Sequence, residues 1–169
     1  MKKNAVLVRD LKFAWRTSTT AILKIENLNI PENSKTLIQG PSGSGKTTLL
    51  SLLAGILLPT SGQAVVLSED LTKLSSKKRD AFRVDHIGFL FQQFNLIPYL
   101  NLIENVLLPC RFSKLRYLNA GNTEALLRDE ARRLLCLLGL EADKFLHLAT
   151  HKLSVGQQQR VAAARALVG

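Results

Sequence analysis

The sequence predicts an α/β fold. Short apolar runs that read as strands alternate with helical segments through the first half of the chain, and a glycine-rich turn joins one such run to an apolar-rich helix. The length agrees: 169 residues, 46% of them hydrophobic, suffice for one sizeable core.

Taken in order, Val6, Leu7 and Val8, then residues 25–30, mix apolar and polar positions as strands do, and Pro31, Glu32, Asn33 and Ser34 follow as a turn. Residues 35–39 predict a short buried strand that runs straight into Gly40, Pro41, Ser42, Gly43, Ser44, Gly45, Lys46, Thr47 and Thr48. Leu49, Leu50, Leu52, Leu53, Ile56 and Leu57 then make an apolar-rich helix that Pro59 and Gly62 end. A strand is expected over residues 64–67, a basic helix over 76–84 and a second buried strand over 87–91. Beyond Pro98 the spacing turns helical. One helix fits residues 101–108; another fits 123–138, with Thr123 as N-cap and Gly139 just past the C-terminal end; a third starts near Ser154.

Composition narrows the class. No run of eighteen apolar residues is present, which argues against a membrane span. The start of the chain has no apolar stretch long enough for a signal peptide, so a cytoplasmic location is expected. Cys110 and Cys136 are isolated, read as reduced thiols, and offer no zinc spacing. The net charge of +10 suits a polyanion, an anionic membrane surface or nucleotide phosphates. Its basic residues are scattered, with Lys77, Lys78 and Arg79 the only triplet, so no nucleic-acid partner is expected. His86, His147 and His151 lack a paired carboxylate or metal spacing and read as structural or surface residues.

Gly40, Gly45, Lys46 and Thr47 satisfy G-x-x-x-x-G-K-[ST] between a predicted strand and a predicted helix. Glycines let the backbone curl around a phosphate with its N–H groups aimed inward, and the helix N-terminus adds a favourable potential for an anion. Lys46 is expected to reach the β- and γ-phosphates, and the Thr47 hydroxyl to ligate Mg²⁺. The bland alternative is a Gly/Ser-rich turn that merely caps a helix. A phosphate loop alone leaves kinases, GTPases, helicases and transport ATPases open.

A second motif narrows that set. Leu153, Ser154, Val155, Gly156 and Gln157, continuing through Arg160 and Arg165, closely resemble the signature of ABC-transporter ATPases and the helix that follows it. Physically, Ser154 is a good N-cap, Gly156 keeps the first turn free of a side chain, and the helix N-terminus offers a second anion seat. Val155 stands where the family most often has Gly; it leaves Ser154, Gly156 and Gln157 in place. Residues 88–106 resemble the family's Q-loop region, which makes Gln92 the Q-loop residue, expected to coordinate Mg²⁺ and orient water, with Gln93 second to it. The family places an aromatic on adenine ahead of the phosphate loop; Trp15 is the candidate and Phe13 its competitor.

The resemblance covers essentially the whole chain, and what it implies goes further. The fold becomes a P-loop NTPase core with a parallel sheet, an N-terminal antiparallel β subdomain and a helical signature subdomain. Residues 1–93 would carry the β subdomain and core, and 94–169 the mostly helical part. ATP with Mg²⁺ is the implied cofactor, held by Trp15, residues 40–48 and Gln92, while Ser154, Gly156 and Gln157 would face the ATP of a partner subunit. The implied assembly is a head-to-tail pair with a second copy or a related ABC subunit, peripheral at the cytoplasmic face of the inner membrane. An integral permease would be met through residues 94–111, opening on Phe94 and closing on Arg111, although Phe94, Leu96, Ile97, Tyr99 and Leu100 could equally be core. The subgroup resembled most serves lipoprotein release, macrolide or peptide export, and the cell-division permease complex.

Family members continue past the signature helix into a strand with the Walker B Asp and a catalytic Glu; no catalytic residue is therefore assigned within this sequence. The chain is expected to bind ATP better than it cleaves it, to leave a sheet edge unpaired and to self-associate or be only marginally stable. The other reading from the same resemblance is a soluble ABC-type ATPase acting on nucleic acid or ribosomes. Such proteins usually carry large insertions or a second cassette, and this sequence shows neither.

Overall fold

The computed structural model describes residues 3–15, 20–146 and 148–169. His147 lies outside the described residues. The chain divides into two units, Met1–Asp80 and Ala81–Gly169, with the border inside a helix and ahead of the boundary expected after residue 93.

The first unit is built on a four-stranded antiparallel sheet of order β2-β1-β3-β4, from β1 (Asn4–Phe13), β2 (Leu23–Pro31), β3 (Ser61–Val66) and β4 (Glu69–Asp70). Alternation in β1 puts Val6 and Val8 on one face, and would then send Leu11 and Phe13 to the other. A bulge corrects this. Asp10 adopts φ +48 at the register shift between Arg9 and Lys12, so Val8, Leu11 and Phe13 are all buried. Gly62 passes so close opposite the bulge that a Cβ there would stand 2.3 Å from the Asp10 carbonyl oxygen. These side chains pack with Leu52 and Ala64, and fully burying a Leu or Val of this kind contributes roughly 1.5–3 kcal/mol.

Leu52 belongs to α1 (Lys46–Leu53). This helix is shorter than its apolar run suggests: Ala54 caps it and Gly55 turns away at φ +67, well before Pro59. Two other expectations are corrected. Residues 35–39 do not form a buried strand, since Leu37 is 79% exposed, and residues 87–91 join no ladder either. A parallel strand is held only by partners distant in sequence, and among the described residues every strand pairing is antiparallel. Apolar composition alone therefore leaves both segments extended and unpaired.

The border between units falls within α2 (Ser76–His86). The second unit is helical, with α3 (Leu102–Phe112), α4 (Lys114–Asn119), α5 (Glu124–Leu137) and α6 (Val155–Leu167). Leu102, Val106, Leu135, Val161, Ala164 and Val168 form its fully buried centre. Local chemistry sets the helix ends. Asn101 and Glu104 make a capping box at α3, Thr123 caps α5 through the Leu126 amide, and Gly139 follows α5 at φ +75.

α4 escapes the sequence pattern because it is short and buries a charge. Ser113 caps it, and the buried Arg116 donates from Nε to the Val84 carbonyl and from Nη1 to the Val168 carbonyl, both at 2.6 Å. One guanidinium thus satisfies acceptors at the C-terminal ends of α2 and α6, where a cation is also favoured by the helix dipoles.

Candidate functional site

The glycine-rich loop sits in the first unit, between the extended residues 35–39 and α1. Gly45 starts the helix from φ +88, and a Cβ at that position would stand 2.8 Å from a methyl of Leu23. Both constraints call for glycine. The Lys46 ammonium donates to the carbonyls of Gly40 and Pro41, 2.8 Å each, so the lysine closes the loop upon itself. Among the described residues no ion pair engages Lys46. The first-turn amides of α1 have no intrahelical acceptor, as at any helix start, and so remain available to an anion. Thr47 is exposed on this turn.

A cleft of about 340 Å³ opens on the loop, lined by Ser42, Gly43, Gly45, Lys46, Thr47 and Thr48 together with Ile22 and Trp15. Gly40, Pro41 and Ser44 belong to the same loop without lining that cleft. Trp15 is 47% exposed and meets Phe13 edge-on, with centroids 5.0 Å apart at 82°. Phe13 is core; Trp15 is the aromatic with a face at the cleft. The cleft thus offers a flat apolar surface, a lysine, a hydroxyl and a run of backbone amides within one unit, which suits a nucleotide with its phosphate tail.

The remaining motif residues lie in the second unit. Gln92 and Gln93 are exposed on a tight turn in which Phe94 and Asn95 take φ +56 and +48. Arg165 of α6 holds that turn, donating to the carbonyls of Phe94 and Asn95. Burial lowers the Arg165 pKa from its usual value. In the segment after Gln92, Leu96 packs on the helical core, whereas Tyr99 is 85% exposed.

At α6, Ser154 and Gln157 form a reciprocal capping box: Ser154 N–H donates to Gln157 Oε1 at 2.8 Å, and Gln157 N–H to Ser154 Oγ at 3.3 Å. A Cβ added at Gly156 would meet nothing within 4 Å, and Val155 points away at 71% exposure. The helix start is therefore open, and the valine strains nothing there. His86 meets Phe82 ring to ring at a tilt of 49°, and among the described residues no His, Cys, Asp and Glu cluster could hold a metal. No helix among the described residues is long and apolar enough to cross a membrane.

Sequence reasoning missed Asn105, Thr150 and Arg165. Asn105 was the most legible, because a carboxamide on the apolar stripe of Leu102 and Val106 has to find partners inside the protein.

Fold and loop together define a phosphate-loop protein of mixed α/β class with an antiparallel β part and a helical part. The chain belongs to the ABC transporter family, whose profile matches residues 23–169. Among its relatives, an uncharacterised ABC transporter ATP-binding protein of Methanocaldococcus jannaschii is 42% identical over 94% of this chain and 69% of its own length. The ABC transporter ATP-binding protein YtrE of Bacillus subtilis is 39% identical over 90% of this chain and 62% of its own. The lipoprotein-releasing system ATP-binding protein LolD of Cytophaga hutchinsonii is 38% identical over 89% of this chain and 64% of its own. The chain therefore spans roughly two thirds of the length of these relatives. Among solved structures, the dimeric post-hydrolysis state of the ATP-binding cassette MJ0796 bound to ADP and Pi superposes with a TM-score of 0.85 at 37% identity, covering 96% of this chain and 69% of that one.

Proposed function

We propose that this chain is the ATP-binding part of an ABC transporter, in which ATP-driven, head-to-tail closure of two ABC subunits powers a membrane permease. The observation that carries the reading is the Lys46 loop: a left-handed glycine, a lysine held over loop carbonyls and a helix start that share one cleft with Trp15. Trp15 stacks on adenine, the loop amides and Lys46 take the phosphates, and Ser154, Gly156 and Gln157 face the nucleotide of a partner subunit. The open start of α6 supports that last assignment, because nothing in the chain itself requires the glycine there.

The exposed oxygen donors of Thr47 and Gln92 are of the hard, neutral type that suits Mg²⁺; Gln92 is assigned on its motif alone. When bound, the ion offsets phosphate charge. The permease contact is assigned to residues 94–111, in which Tyr99 is the exposed large hydrophobic side chain. The likeness to LolD supports a lipophilic or peptide cargo that is exported or extracted. Such a subunit works at the cytoplasmic face of the membrane without spanning it.

Trp15 is the only tryptophan, so its fluorescence reports the cleft directly. MgATP is expected to perturb that emission in the 169-residue chain. Lys46→Ala is expected to weaken the affinity at least about tenfold, as loss of a charge-assisted contact does. An affinity that Lys46→Ala leaves unchanged removes the assignment.

A further inference from the structure

We propose that Thr150, acting with Asn105, is a positioning residue that locks the loop carrying Tyr99 to the N-terminal cap of α6. The inference rests on residues 94–111 being partner-facing and Ser154 to Gln157 being the signature.

The loop of residues 97–101 is held from beneath chiefly by Asn105, with Thr150 and Glu104 each adding one bond. Asn105 is completely buried; its Oδ1 accepts from the Ile97 amide at 2.8 Å, and its Nδ2 faces the carbonyls of Ile97, Leu100 and Asn101 at 3.0–3.1 Å. The same Nδ2 donates to Thr150 Oγ1 at 3.1 Å, and the Thr150 hydroxyl donates in turn to the Leu100 carbonyl. Only a group that accepts and donates at once closes this ring. Thr150 is 1% exposed and opens the short 3₁₀ turn Thr150–Lys152, which the Leu153 amide ends by donating back to the Thr150 carbonyl at 3.2 Å. Leu153 is buried in the helical core, its carbonyl accepts from Gln158 Nε2 at 2.9 Å, and Ser154 follows directly as the cap of α6.

A push on Tyr99 therefore reaches the signature cap through one hydroxyl and four residues of tightly bonded chain. Interiors of this kind shift between discrete arrangements and do not deform smoothly, so the two ends move together.

Amide exchange on the 169-residue chain tests this without nucleotide or permease. Thr150→Val keeps the shape and deletes the hydroxyl. The Ile97 and Gln157 amides are expected to exchange roughly tenfold faster, while the α5 amides hold their rates. Thr150→Ser restores both. Acceleration at one end alone, at neither, or equally throughout α5 overturns the proposal. Failure here leaves the Lys46 reading intact, and failure of the Lys46→Ala test leaves this one intact.

Discussion

Arg165 Nη1 donates to the Asn95 carbonyl at 2.7 Å, which ties the last turn of α6 to the turn that bears Gln92. Phe94 and Asn95 are both left-handed, a conformation that Asn tolerates but that costs roughly 1–2 kcal/mol at a residue such as Phe94. The guanidinium helps hold that strained turn. Arg165→Leu leaves the two carbonyls without their donor and is expected to cost about 2 kcal/mol, which lowers the thermal midpoint by roughly 4–8 °C. Arg165→Lys recovers part of this, since an ammonium reaches one carbonyl in place of two. Calorimetry of the three proteins decides; equal midpoints would mean the turn is held by something else.

The two glycines of the motifs make opposite predictions. Gly45 is left-handed and faces Leu23, so Gly45→Ala meets both backbone strain and a 2.8 Å contact, and is expected to destabilise the first unit by about 1–3 kcal/mol. Gly156 lies within α6 with nothing near its missing Cβ. Gly156→Ala is therefore expected to leave stability unchanged or raise it by under about 1 kcal/mol, as alanine does in a helix. Urea unfolding of both variants checks the pair. A loss at Gly156→Ala as large as that at Gly45→Ala would mean that the start of α6 is packed and not open.

What could be read from the sequence followed the range of the forces involved. Thr123, Gly139 and Ser154 act on amides and carbonyls a few residues away, and each falls where capping rules put it. The Lys46 loop is equally local, because its geometry is fixed within residues 40–49. The strands expected over residues 35–39 and 87–91 needed partners far along the chain, and apolar composition cannot name a partner. Arg116, Arg165 and Asn105 bond to main-chain carbonyls, several of them brought close only by tertiary structure, so their roles carry no spacing signature. Trp15 and Phe13 show the limit from another side: two residues apart and alike in sequence, they part company once Phe13 enters the core.

Asp70 gives the first unit a pH dependence whose sign can be worked out. Its burial by itself raises the carboxyl pKa, but hydrogen bonds from Thr72, Gln63 and Lys73 outweigh that, and the net effect is a pKa below the usual carboxylate value. A carboxylate depressed on folding stabilises fully above its unfolded-state pKa of about 3.9, and the contribution fades as pH falls through the folded value. Gln63 and Asp70 lie on β3 and β4, so one of the weakened bonds reinforces the backbone pairing of the β4 edge, while those from Thr72 and Lys73 are local to the turn after it. Asp70→Asn keeps the shape but cannot carry the charge, so it is expected to be less stable than the parent at pH 7 and to approach it as the pH is lowered toward 3. Urea midpoints of the two proteins across that range test the sign. A gap that stays constant from pH 7 to pH 3 would show that the Asp70 charge does no more in the folded chain than in the unfolded one.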